Sequence, residues 1–174
     1  MADSIQWTRV LQLVNLLGRG RLKSSIGYQF GTDKIAMYSI LKLNDKDTIV
    51  KLWFRGWDFG RVYGPAMVVG TAAVFGFLAW NDGIASPAFP FNLAAGLLMG
   101  AVGPYTQFRI FPVNDKLLEE HRIVIKAEKT DDRAQGASVE VVRGWAADWK
   151  RLDIHRQLLA YLAAGAGLIA VLRS

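Results

Sequence analysis

The sequence predicts an all-α membrane protein, on three observations: its apolar residues are clustered, the clusters are long and uncharged, and basic residues flank them. Of 174 residues, 52% are hydrophobic. A soluble chain disperses such residues. Here they gather into uncharged runs from Val62 to Asn81 (20 residues), Gly83 to Phe108 (26 residues) and Gln157 to Leu172 (16 residues). A helix needs roughly 20 apolar residues to cross about 30 Å of hydrocarbon. The first two runs meet that length, and the third does when Arg156 or Arg173 snorkels to the interface. The expected architecture is a transmembrane four-helix-type bundle. Residues 1–43 supply a degenerate, polar first helix, and an amphipathic interfacial helix follows. Within 44–174, three spans fall near 62–80, 92–111 and 156–172, with a polar loop over 113–155.

Residues 5–17, IQWTRVLQLVNLL, space Ile5, Val10, Leu13, Val14 and Leu17 at a helical period, with Gln6, Arg9 and Gln12 between them. Gly18 and Gly20 punctuate the segment near Arg19, Arg21 and Lys23, so it reads as an interfacial helix or as an unusually polar first span. Asp3 precedes any basic residue, unlike the order in a secretory signal. Asp33 and Lys34 follow, and within a bilayer they require pairing or an interfacial depth. Residues 44–61 predict a helix capped by Asn44, with Asp47 three residues on. Its Ile49, Leu52, Trp53 and Phe59 are expected along the interface, with Trp57 near the same level.

The first long span, 62–80, ends at a turn, NDGIASPAFPF (81–91), that holds no basic residue. In the next span, Pro104 and Pro112 should each disturb a helical turn, because proline removes a donor and clashes with the turn before it. The section 113–155 carries eight Lys or Arg residues. Within it, 136–142 reads as extended and 145–156 as a helix running into the last span. Small residues in two spans (Gly70, Ala72, Ala73 and Gly76; Ala160 and Ala163 to Gly167) favour close helix packing. The basic flanks put 42–61 and 113–155 on the cytosolic side and 81–91 opposite.

The net charge of +6, from 21 Lys and Arg against 15 Asp and Glu, fits basic side chains facing anionic lipid. No nucleic-acid-binding motif accompanies it, and no nucleic-acid partner is expected. Without cysteine, disulfides, thiol nucleophiles and thiolate ligands are excluded. Two histidines rule out a three-histidine metal site, and their spacing supports no metal. His155, at the polar edge of the last span beside Asp153 and Arg156, is either a neutral imidazole able to act as base or a group solvating a helix start. His121, after Glu119 and Glu120, reads as solvated. Arg156 and Asn114 are donors suited to an oxyanion, whereas Arg109 more simply snorkels. Trp145 and Trp149, one helical turn apart, fit an aromatic pocket or an interfacial belt equally well. The stretch from Thr106 to Asn114 is either a plain helix exit or one wall of a site.

PYTQFRIFPVNDKLL followed by WAADWKRLDIHRQLLAYLA resembles the anthrone oxygenase-like family of small membrane proteins. The matching residues are Pro104, Tyr105 and Thr106, then Pro112 and Asn114, then Trp149, His155 and Arg156. KLWFRGWDFGRVYGPAMV resembles the amphipathic helix leading into the family's second span, and the resemblance covers about residues 45–172. The charges between Arg19 and Lys34 depart from an apolar first span. The resemblance implies oxidation of a polyphenolic anthrone to an anthraquinone by molecular oxygen in polyketide secondary metabolism, without metal or other cofactor. It implies His155 as base, Asn114 and Arg156 holding the oxyanion or peroxide, and Tyr105, Thr106 and Trp149 lining the planar aromatic substrate. The implied protein is integral to a membrane, with the endomembrane system one candidate and lipid its surroundings. The competing reading is a noncatalytic accessory or scaffold protein, and a small transporter ranks below it.

Overall fold

The structure is a computed structural model that describes residues 36–130 and 136–174. The helix expected over 5–17 and most of the degenerate first helix lie outside the described residues. All regular structure among the described residues is helical. After a short helical turn at Tyr38–Ile40 come α1 (Lys46–Asp82, 37 residues), α2 (Phe89–Tyr105, 17 residues), a π-helical segment (Thr106–Ile110), α3 (Phe111–Thr130, 20 residues) and α4 (Val139–Arg173, 35 residues).

Two helices, α1 and α4, are long and apolar enough to cross a membrane. Only 22% and 28% of their most apolar stretches are buried, which favours lipid-facing helices over core helices of a soluble protein. Trp80, Val69, Leu168 and Leu172 are exposed on those stretches. These features support membrane association. Helix α2 is uncharged and 17 residues long, about 26 Å at the usual helical rise, slightly short of a span by itself.

The chain divides into two compact units. One comprises Gly64–Pro104 and Gln157–Ser174 among the described residues, with a core of Phe75, Leu78, Ala95, Met99, Ala160 and Ala163. The expected small-residue packing is present in it. A Cβ on Gly167 would lie 2.6 Å from Phe75 Cζ, and one on Gly96 would lie 3.4 Å from the Gly76 nitrogen. The turn after α1 needs Gly83, whose φ of +72° is disfavoured for side-chain-bearing residues. Asn92 Nδ2 donates to Asp82 Oδ2 at 2.7 Å across that turn.

The other unit comprises residues 36–63 and 105–156, apart from 131–135. Its core holds Met37, Ile40, Ile49, Val50, Trp53, Ile110, Leu117, Val142, Ala146 and Trp149. Ile49 and Trp53 are therefore core residues, contrary to the expected interfacial row, while Leu52 and Phe59 stay exposed. The cap also differs. Asp45, not Asn44, caps α1, accepting the Thr48 backbone N–H at 2.9 Å and the Thr48 hydroxyl. Asn44 Oδ1 instead accepts from Arg143 Nη2 at 2.9 Å, and the same nitrogen donates to Leu43 O at 2.8 Å.

The section expected as a polar loop, 113–155, is mostly helical. Asn114, Leu117, Glu120 and Val124 are buried at helical spacing on α3, and the charges occupy its other faces. Residues expected to be extended join α4 from Val139, because Ser138 Oγ accepts the Val141 N–H at 3.5 Å and Val142 is buried. Glu120, 3% exposed, receives Lys46 Nζ at 2.8 Å and the Ala137 N–H at 3.0 Å, tying the starts of α1 and α4 to α3.

Candidate active site

The polar residues picked out by the resemblance belong to this second unit, where the π-helical segment sets their phase. The Phe111 N–H donates to Thr106 O, five residues back instead of four. Pro104 and Pro112 bracket that wider turn, so the expected disturbance is a π turn in a continuous helix, not a break. Its i,i+5 register lets Tyr105 and Ile110 both pack on the unit's core, and α-helical spacing then brings Asn114 and Leu117 to the same side. A run of 3.6-residue turns from Tyr105 would carry Ile110 to another face.

Asn114 is 4% exposed, and its Oδ1 accepts the Trp149 indole N–H at 2.9 Å. An indole N–H only donates, so the amide oxygen must face Trp149. The amide NH2 is thereby turned away from Trp149, with its orientation fixed by a buried partner. Trp149 stands edge-on to Trp53, with ring centroids 6.4 Å apart, and Trp53 stacks on Trp57 at 5.9 Å. Trp149 thus belongs to a buried aromatic cluster, not to an interfacial belt.

On α4, at about 100° per residue, Leu152, Asp153 and Arg156 lie within roughly 60° of Trp149. Tyr105 donates its hydroxyl to Leu152 O at 3.0 Å. Asp153 is 1% exposed and ion-pairs with Arg156, whose side chain is 22% exposed. Arg109 is exposed, as a snorkelling side chain would be. Thr106 is partly buried within the π turn, next to Tyr105.

His155 sits roughly 120° around α4 from Trp149. It is exposed, and its ring lies 6.3 Å from that of Tyr105. Among the described residues, no hydrogen bond or ion pair joins it to Asn114 or Arg156. Asn114 with Trp149, Arg156 with Asp153, and His155 with Tyr105 are three separate pairings.

His121 departs from the solvated expectation. It stacks on Phe54 at 3.8 Å with the rings 7° from parallel. Burial, and secondarily the Lys51 charge, hold its pKa below the usual 6.5. Reading the sequence also missed the burial of Trp53, Glu120 and Asp153. Asp153 alone had a local sign: it lies four residues after Trp149 and three before Arg156, where a buried acid would find a cation. Among the described residues, no three His, Cys, Asp or Glu side chains are grouped to hold a metal ion.

Comparison with known proteins matches residues 53–166 to the anthrone oxygenase family. The chain is 30% identical over 131 residues to the anthrone oxygenase encC of Aspergillus fumigatus, covering 73% of this chain and 72% of the relative. It is 29% identical over 133 residues to the anthrone oxygenase nsrD of Aspergillus novofumigatus, covering 75% of each. An anthrone oxygenase of Claviceps purpurea is 35% identical over 92 residues, covering 52% of each chain. No solved structure matches. The matched region opens on Trp53 and contains Tyr105, Thr106, Asn114, Trp149, His155 and Arg156, so the polar and aromatic pairings described above lie within the shared part, and the chain belongs to the anthrone oxygenase family.

Proposed function

We propose that this protein oxidises a polyphenolic anthrone to an anthraquinone with molecular oxygen, in polyketide secondary metabolism, without a cofactor. The observation that carries this reading is the buried Trp149–Asn114 hydrogen bond, which fixes an amide so that its two N–H donors face away from the bond. Anthrones are acidic at the central carbon, because removing one proton makes the middle ring aromatic and moves charge to the oxygen. One base and oriented donors to that oxygen suffice to begin the reaction.

His155 takes the proton from the central carbon, and Asn114 with Arg156 stabilises the oxyanion. The anion passes one electron to dioxygen, and the radical pair closes a carbon–oxygen bond. Protonation gives a hydroperoxide. Loss of the second central proton, with cleavage of the oxygen–oxygen bond, forms the new carbonyl and releases water. The balance is anthrone plus O2 to anthraquinone plus H2O, with every electron drawn from the substrate. Tyr105, Thr106 and Trp149 contact the planar rings, and α2 continued into the π turn forms a third span beside α1 and α4. An endomembrane location suits a lipid-soluble aromatic substrate.

The exposure of His155, apart from Asn114 and Arg156, favours a second reading, a noncatalytic accessory protein. Oxygen uptake and quinone formation, measured with a hydroxylated anthrone in membranes containing the protein, decide between them. The enzyme must exceed both spontaneous oxidation and empty membranes. A His155→Ala variant working at the wild-type rate would remove His155 from the mechanism, and no excess in the wild type would leave the accessory reading.

A further inference from the structure

Trp53 carries an unexplained polar atom. The residue is 2% exposed, and its indole Nε1–H has no hydrogen-bond acceptor among the described residues. Stranding a buried donor costs about 1–3 kcal/mol, and native proteins satisfy nearly all such groups. A ring of the same shape without the N–H would fill the same space without that cost. The Arg156 Nε is likewise buried without an acceptor, although Asp153 holds the other end of the guanidinium.

The Trp149 ring links the Trp53 donor to the Asn114 amide. Trp53 meets Trp149 edge-on, and Trp149 orients the Asn114 amide. Trp53 Nε1 is a donor that accepts nothing, and the Asn114 oxygen is already engaged, leaving its NH2. A group of donors without acceptors suits a ligand bearing anionic oxygen.

Resting on the proposed oxygenase reading, we infer that Trp53 is a substrate-binding residue whose indole N–H donates to an ionised oxygen of the polycyclic phenol or its enolate. The ligand oxygen would supply the acceptor that the indole lacks. Trp53 would act together with Asn114, and its N–H would lower the pKa of the bound phenol by stabilising its anion.

The test replaces the Trp53 indole with benzothiophene, which keeps the ring shape and exchanges N–H for sulfur, in the full chain reconstituted in nanodiscs. Trp53→Phe serves as a genetically simple companion, at about 1 kcal/mol of lost packing from its smaller ring. Expected for the benzothiophene variant are a ligand-free thermal midpoint unchanged or raised, and a loss of about 10- to 100-fold in kcat/KM. A bound hydroxyanthraquinone, followed by its phenolate absorption, should ionise at a higher pH in the variant than in the wild type. A lowered midpoint with unchanged kcat/KM and unchanged ligand titration would overturn the inference, because the N–H would then serve the fold, for example against the Trp149 ring. The ligand titration needs no turnover. Absence of anthrone oxidation by the wild type would therefore defeat the oxygenase reading, while the titration still judged the Trp53 donor.

Discussion

Trp149→Phe separates the fold from the chemistry at the best-defined polar contact of the site. The change keeps an aromatic ring in the core and removes the N–H that holds Asn114 at 2.9 Å. Because Asn114 is 4% exposed, its oxygen has little water to turn to. A stranded buried acceptor costs about 2 kcal/mol, within the usual range. The smaller ring adds about 1 kcal/mol for lost packing beside Trp53. For a chain of this size, about 3 kcal/mol lowers the thermal midpoint by roughly 6–12 °C. A freed amide also loses its aim, and removing one oriented oxyanion donor typically lowers kcat by about 100-fold or more. Circular dichroism melts in nanodiscs give the first quantity, and anthrone-dependent oxygen uptake well below the midpoint gives the second. An unchanged midpoint would refute the buried hydrogen bond. A lowered midpoint with unchanged kcat and KM would mean that the Asn114 amide has no part in the reaction.

Three further outcomes follow from the same geometry. Glu120→Gln and Lys46→Met should each destabilise by about 2 kcal/mol, less than a fully buried pair because Lys46 is 21% exposed, and a double-mutant cycle should return a coupling of about 1–3 kcal/mol. A coupling near zero would dismiss the ion pair as a stabilising element. His121 is held below 6.5, so the folded state takes up its proton less readily than the unfolded chain. That contribution to stability is complete above about pH 6.5 and is lost as the pH falls through the folded-state value. His121→Phe keeps the stack on Phe54 and should flatten the fall in thermal midpoint between about pH 7 and about pH 5; an unaltered slope would assign it to other groups. Gly167→Ala drives a methyl to 2.6 Å from Phe75 Cζ and should cost about 1–2 kcal/mol, whereas Gly165→Ala meets nothing within 4 Å and should be neutral or stabilising in the same melts.

The apolar lengths of α1 and α4 were legible because a bilayer demands a run of uncharged residues, and such a run is local information. The helices beyond the runs were not. On α3 the buried positions are Asn114, Leu117, Glu120 and Val124, two of them polar, so the helical stripe is hidden when polarity stands for exposure. Trp53 and Ile49 looked interfacial because tryptophan and isoleucine suit a headgroup boundary, yet their core partners lie far along the chain, Trp149 among them. Asn44 and Asp45 are both good caps, and only the distant Arg143 takes Asn44 away from that task. At the site, Asn114, Trp149 and Tyr105 were identified by family pattern, whereas the pairing of Asn114 with Trp149 depends on the π turn, which no local residue preference announces.

That π turn makes the unit sensitive to chain length in a way that composition does not reveal. It holds one residue more than a regular helix would need to return to the same side. Removing a single exposed residue there, Gln107 or Phe108, would let the helix regularise with its later faces kept, whereas adding one residue would swing everything after it by about 100°. Asn114 would leave Trp149, Leu117 would leave the core and Glu120 would leave Lys46, although none of the three had been replaced. The segment thus works like a reading frame in three dimensions: substitutions within it change one side chain, whereas an added residue rewrites the whole inward face of α3.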